Sequence, residues 1–223
     1  MFSIIFIAEI VFLFISSRYI VGKLTAFLLG LTKSKKVTVW ILSVLFIPGT
    51  IVHEMAHYLS AIMLFVRVGR INLSPKIEGE HVALGSVEIG KADMGRRFLI
   101  GASPFVLGIT IIAGVPFFIL KNIPPDNISK ILIAVAVSYF LFTVSNTMFS
   151  SKADMEGTIE ILITLLTVFI AVYILGFRPE PSIIEKINTS QIIDLVQKST
   201  LFLLAPIIID LSILGIIRVF NRR

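Results

Sequence analysis

Six stretches of this chain, at residues 2–30, 37–66, 97–120, 130–150, 156–176 and 200–220, stay apolar for about as long as a helix needs to cross a bilayer. A hydrocarbon core about 30 Å thick is spanned by about 20 residues rising about 1.5 Å each. With 223 residues in total and 56% of them hydrophobic, little chain is left over for a soluble domain. The expected fold is therefore an all-α polytopic membrane protein of about six transmembrane helices, forming a single integral membrane domain over 1–223.

The formal net charge of +6 could point to nucleic acid, but the basic residues fall in short groups between apolar runs. Such groups read as topology signals and contacts to lipid headgroups, so no nucleic-acid partner is expected. With no cysteine in the chain, thiolate metal sites, disulfides and cysteine nucleophiles are all excluded. Any metal must be held by nitrogen and oxygen. The N-terminal run lacks a basic leading segment and is interrupted by Glu9, so it reads as a span rather than a signal peptide. It contains Arg18 and Lys23, which fit either one long tilted span or a span followed by an interfacial helix.

Two segments depart from the spanning pattern. From Arg67 to Arg97 the chain is polar, and Val68–Leu73 and His81–Ile89 alternate apolar and polar residues around Ser74, Pro75 and Gly79. That alternation predicts a short β-hairpin-like loop over 67–97. In the segment 181–198, Ile183, Ile184, Ile187, Ile192, Ile193 and Val196 recur at helical spacing among Glu185, Lys186, Asp194 and Lys198. An amphipathic helix lying on the bilayer surface is expected there.

The chemistry concentrates in the second run, where His53-Glu54-Met55-Ala56-His57 occurs. On a helix, four positions amount to about 400°, so His53 and His57 share a face one turn apart and can chelate one metal. Glu54 lies about 100° round the helix, beside the metal rather than on it, where its carboxylate can take a proton from water. Chance would place this pattern in a chain of this length on the order of once in a hundred. Burying such groups in lipid costs about 2.5 kcal/mol or more each when charged, so they are seldom kept there without a partner or a role. Zinc suits imidazole and carboxylate donors. Val37 to His53 spans about 24 Å of helix rise, which puts the pair toward the far end of its span. Pro48 and Gly49 stand about one turn earlier, where proline removes one helical hydrogen bond and either kinks the helix to admit water or is simply tolerated.

A tetrahedral zinc needs a third protein ligand and an open position. His81, the remaining histidine, lies in the expected hairpin, where a histidine is ordinarily solvated. A polar break at the end of the fourth run, from Asn146 to Gly157, offers two carboxylates, Asp154 and Glu156. Glu9 and Asp210 are the other acidic groups inside apolar runs, and they read best as hydrogen-bonding partners of neighbouring helices.

A His-Glu-x-x-His on a membrane helix, a hairpin-like loop, a further span and a distant Asn-x7-Asp together resemble the site-2 protease family of intramembrane zinc metalloproteases. The resemblance runs over 37–157, the expected metalloprotease core, and lacks a separate peptide-binding domain. It implies His53, His57 and Asp154 as ligands of one zinc ion and Glu54 as general base. It also implies Asn146 as a group that orients substrate or supports a ligand. The family's Asn-Pro-x-Pro-x-x-x-Leu-Asp-Gly motif is altered here: Thr147, Phe149 and Ala153 replace its prolines and leucine, and Met155 follows the aspartate. Glu156, followed by Gly157, therefore stands as the alternative third ligand. Ser103, Pro104 and Leu107 echo a second family feature in the intervening span.

The expected function is hydrolysis of peptide bonds in or near transmembrane segments of membrane-protein substrates by a multi-pass integral membrane enzyme. Two alternatives are a zinc-binding membrane scaffold or transporter without proteolysis, and an integral zinc peptidase that cuts soluble or lipid-anchored peptides. No internal repeat of the kind that marks transporters is found. A six-span arrangement divides the Lys and Arg residues evenly between the two sides, so charge does not orient the chain. A cytoplasmic site is implied by the resemblance only.

Overall fold

A computed structural model describes residues 2–78, 81–121, 126–149, 166–167, 170 and 190–220. The first run forms one continuous helix, α1 (Phe2–Thr32), with no break at Arg18 or Lys23. Lys33 takes a positive φ of 50° and reverses the chain. Ser34 then caps α2 (Lys35–Met63), its hydroxyl accepting from the Val37 amide. After α2 come four short strands, β1 (Val68–Asn72), β2 (Lys76–Glu78), β3 (His81–Ala83) and β4 (Ser86–Ile89). Three further helices are α3 (Met94–Lys121), α4 (Asn127–Thr147) and α5 (Ser190–Phe220).

Among the described residues, five helices are long and apolar enough to cross a membrane. The expected sixth span at 156–176 falls almost wholly outside the described residues. α1 begins where the expected run does, α2, α3 and α4 begin two or three residues before theirs, and α5 starts at Ser190 rather than 200. No glycine or proline separates 190 from 205, so nothing in the backbone stops the helix from running on into the span. The described end of the 181–198 segment is thus the first turns of α5, and 181–189 lie outside the described residues.

The polar segment folds as a two-tier antiparallel hairpin. β1 pairs with β4, with Ile71 opposite Val87, and β2 pairs with β3, with Ile77 opposite Val82. The register of the first pair shifts between Val68 and Ile71. The bends at 73–75 and 84–85 split the expected two strands into four.

Three apolar clusters hold the bundle together. Leu13, Ile112, Leu141, Val144, Met148 and Leu203 join α1, α3, α4 and α5. Leu42, Phe46 and Phe142 join α2 to α4, with Leu28, Ile209, Ile213 and the hairpin's Leu84 packed against them. Ala61, Val66 and Ile100 fasten the end of α2 and the root of the hairpin to α3. The outward faces are apolar as well: Trp40, Val44, Val106, Leu132, Val135 and Ile208 are all exposed. In water such a surface would be a liability, whereas hydrocarbon accepts it without cost.

Candidate metal centre

The centre is built where α2 meets the end of α4 and the start of α3. Gly49 sets the first contact. A Cβ at this position would collide with the Thr143 carbonyl and the Thr147 hydroxyl, so only glycine lets α2 lie this close to α4. One turn earlier, the Tyr139 hydroxyl donates to the Leu45 carbonyl at 2.8 Å and ties the same two helices. One turn later, His53 Nδ1 meets the carbonyl of Thr147 at 2.6 Å. Thr147 is the last residue of α4, and the last carbonyls of a helix are the ones open to an outside donor.

His57 finds its partner by a different route to the same kind of group. Its Nδ1 lies 2.9 Å from the carbonyl of Ile100 in α3. In a regular helix that carbonyl would accept from residue 104, which here is Pro104 and has no N–H. The Ser103 hydroxyl also donates to it, at 2.6 Å. Proline therefore opens an acceptor at the depth where the imidazole arrives.

These two contacts fix the tautomers. A carbonyl oxygen only accepts, so each Nδ1 carries the ring hydrogen and each neutral ring keeps its lone pair on Nε2. The two Nε2 atoms face each other at 3.2 Å, with the rings nearly perpendicular at 85°. Two lone pairs at that distance repel unless a proton or a metal ion lies between them. Zinc bound to nitrogen at about 2.0–2.1 Å with tetrahedral angles separates its ligand nitrogens by about 3.3 Å. The donor pair fits such an ion, and ligand imidazoles characteristically donate their other N–H to a carbonyl or carboxylate.

Glu54 is buried between α2 and the hairpin. A Cβ on Gly85, at the bend between β3 and β4, would lie 2.8 Å from Glu54 Oε1 and 2.9 Å from Thr50 Cγ2. The bend thus rests directly on the acid, and glycine is what permits it. Thr50 Oγ1 is buried and has no hydrogen-bond partner among the described residues.

Asn146 is also buried, and its Nδ2 donates to the Phe142 carbonyl at 3.0 Å and to Asp210 Oδ1 at 2.9 Å. Asp210 Oδ2 accepts from Ser16 at 2.9 Å, so Asp210 hydrogen-bonds its neighbouring helices. Glu9 is buried on α1, with Oε2 lacking a partner among the described residues.

His53 and His57 are thus brought together, with Glu54 on the same stretch of α2 against the Gly85 bend. Asp154 and Glu156, the two candidates for a third ligand, lie outside the described residues. Among the described residues, no group of three or more metal-binding side chains is found. The backbone of His81 lies in β3 opposite Glu78. The sequence marks Gly49 only as the neighbour of Pro48, and it does not single out Gly85 or the carbonyls of Ile100 and Thr147. Pro104 was the one legible sign, since a proline always frees the carbonyl four residues before it.

The chain matches no family model, no curated protein and no solved structure, so its residues and their geometry carry the functional reading.

Proposed function

We propose that this chain is an integral membrane zinc endopeptidase that hydrolyses peptide bonds in or near transmembrane segments of other membrane proteins. The observation that carries the reading is the pair of converging Nε2 atoms, 3.2 Å apart, with both Nδ1–H groups committed to backbone carbonyls. Its resemblance to the site-2 protease family over 37–157 supports the same reading.

His53 and His57 would hold the ion through Nε2, and Asp154 would complete the protein ligands, with Glu156 as the alternative. Thr147 ends α4 against His53, and the seven residues from there to Asp154 reach up to about 23 Å when extended. Either carboxylate is therefore within reach. Zinc, when bound, would supply Lewis-acid polarisation of the scissile carbonyl and lower the pKa of water into the neutral range. Glu54 takes the proton of the attacking water on its carboxylate and passes it to the nitrogen of the leaving amine. Burial under the Gly85 bend keeps bulk water from this acid.

A substrate helix must unwind before its backbone can enter. The two-stranded β1–β4 ladder, rooted beside the site, offers edges on which an extended segment can add as a strand. Asn146 orients that segment.

The test is cleavage of a co-expressed single-span membrane protein by the wild type and by Glu54→Gln. The variant is expected to keep its zinc and to lose about 10²–10⁴-fold in rate. Undiminished cleavage by Glu54→Gln would remove Glu54 from the mechanism.

A further inference from the structure

Asn146 sits at the meeting of three helices, and its amide has only one acceptable orientation. Both hydrogens of Nδ2 are used, one by the Phe142 carbonyl at 3.0 Å and one by Asp210 Oδ1 at 2.9 Å. Turning the amide over would set its oxygen against those two acceptors. Asp210 is in turn held by Ser16 of α1, which donates to Oδ2 at 2.9 Å. Asp210 has 0% exposure. The consequence falls on the other end of the amide. Asn146 Oδ1 is buried, points away from Asp210, and has no partner among the described residues. A buried acceptor left open in this way calls for a donor that arrives from elsewhere.

Helix packing shows where that acceptor stands. Contacts of α2 with α4 advance together along both chains: Phe46 stacks on Phe142 at 5.7 Å, Gly49 abuts Thr143 and Thr147, and His53 meets Thr147. The two helices therefore run parallel. One turn beyond the stacked rings, Thr50 follows Phe46 and Asn146 follows Phe142, so they stand at the same level along the two helices. Thr50 Oγ1 is buried and likewise open, and it shares the Gly85 contact with Glu54. An open hydroxyl donor and an open amide acceptor together complement the carbonyl and N–H of a peptide backbone.

We propose that Asp210, held by Ser16, is a positioning residue that locks the Asn146 amide so that Oδ1 is presented to a backbone N–H of the substrate beside Glu54. This rests on the peptidase reading and adds to it a residue from the last helix, outside the 37–157 core.

The experiment uses the full chain in detergent micelles with two readouts. The first is solvent exchange of the asparagine side-chain NH2 signals by NMR in 15N-asparagine-labelled protein, Asn146 being assigned by Asn146→Leu. Those signals are expected to be protected in the wild type and in Asp210→Asn, whose carboxamide oxygen still accepts from Asn146, and to lose protection in Asp210→Leu. The second is cleavage of a labelled peptide carrying one apolar segment of about 20 residues. There, kcat/KM is expected to fall at least about tenfold in Asp210→Leu with zinc content unchanged. Asp210→Asn should restore it to within about threefold, and Asp210→Leu should add less than about twofold to the loss in Asn146→Leu. Asn146 signals that stay protected in Asp210→Leu, or losses that multiply in the double variant, would overturn the proposal. A wild type that cuts no peptide counts against the peptidase reading instead, and the exchange readout then decides the positioning alone.

Discussion

At the scale of single residues, the candidate site depends on hydrogen-bond chemistry that side-chain identity alone does not reveal. His53 and His57 were visible in the sequence because their spacing matches one turn of helix. What makes them a donor pair is the acceptor each finds: the end carbonyl of α4 for one, and the carbonyl freed by Pro104 for the other. Restoring an N–H at that position in Pro104→Ala gives the Ile100 carbonyl a competing donor. Zinc affinity is expected to weaken by up to about tenfold, read by competition with a chelator, while the fold is retained. Unchanged affinity would mean that the Ile100 carbonyl does not support His57. Gly85 is a second residue whose role is steric. Gly85→Val drives side-chain atoms into Glu54 and Thr50, so turnover should fall at least about tenfold while zinc is kept. Equal turnover would show that the hairpin bend can move off the acid freely.

At the scale of elements, the spanning helices were legible because apolar run length is a direct consequence of bilayer thickness. The ends of α1 to α4 fall within a few residues of the expected runs. The expected helix over 181–198 and the expected run over 200–220 meet without a break in α5, because helix termination needs a backbone breaker and none stands between them. Helix-to-helix distances were not legible at all. Pro48 drew attention in the sequence, yet its neighbour Gly49 decides the approach of α2 to α4. Gly49→Ala forces those helices apart and moves Thr147 from His53, so zinc affinity should drop about 10–100-fold. The same affinity in Gly49→Ala would contradict this packing account. Outside the apolar region, Asp126 caps α4 by accepting from the Ser129 amide at 2.7 Å, and this bond holds its pKa below the ordinary carboxylate value of 3.8. A depressed folded pKa means that the stabilisation is present above the unfolded value and is lost as pH falls through the folded one. Thermal unfolding of Asp126→Asn should therefore change less between pH 5 and pH 3 than that of the wild type. An identical change in both would show that the cap does not titrate.

At the scale of the whole molecule, five apolar helices among the described residues pack around a polar centre assembled from α2, α3 and α4, while α5 and α1 brace it through Asp210 and Ser16. The bilayer explains this division: lipid accepts the apolar outer faces, and polar groups such as Asp210 and Ser16 are gathered inside, where another helix can satisfy them. The helix that carries the candidate residues was legible in the sequence, but their surroundings were not, because the supporting atoms are mostly backbone carbonyls and missing side chains. The sequence also points to a third ligand from beyond α4. The account therefore stands most directly on the zinc content of the purified chain, measured for the wild type, His53→Ala, His57→Ala, Asp154→Ala and Glu156→Ala. One zinc per chain is predicted for the wild type and Glu156→Ala, and loss of the metal in the other three. A wild type that binds no zinc, or a His53→Ala protein that holds as much as the wild type, would contradict it.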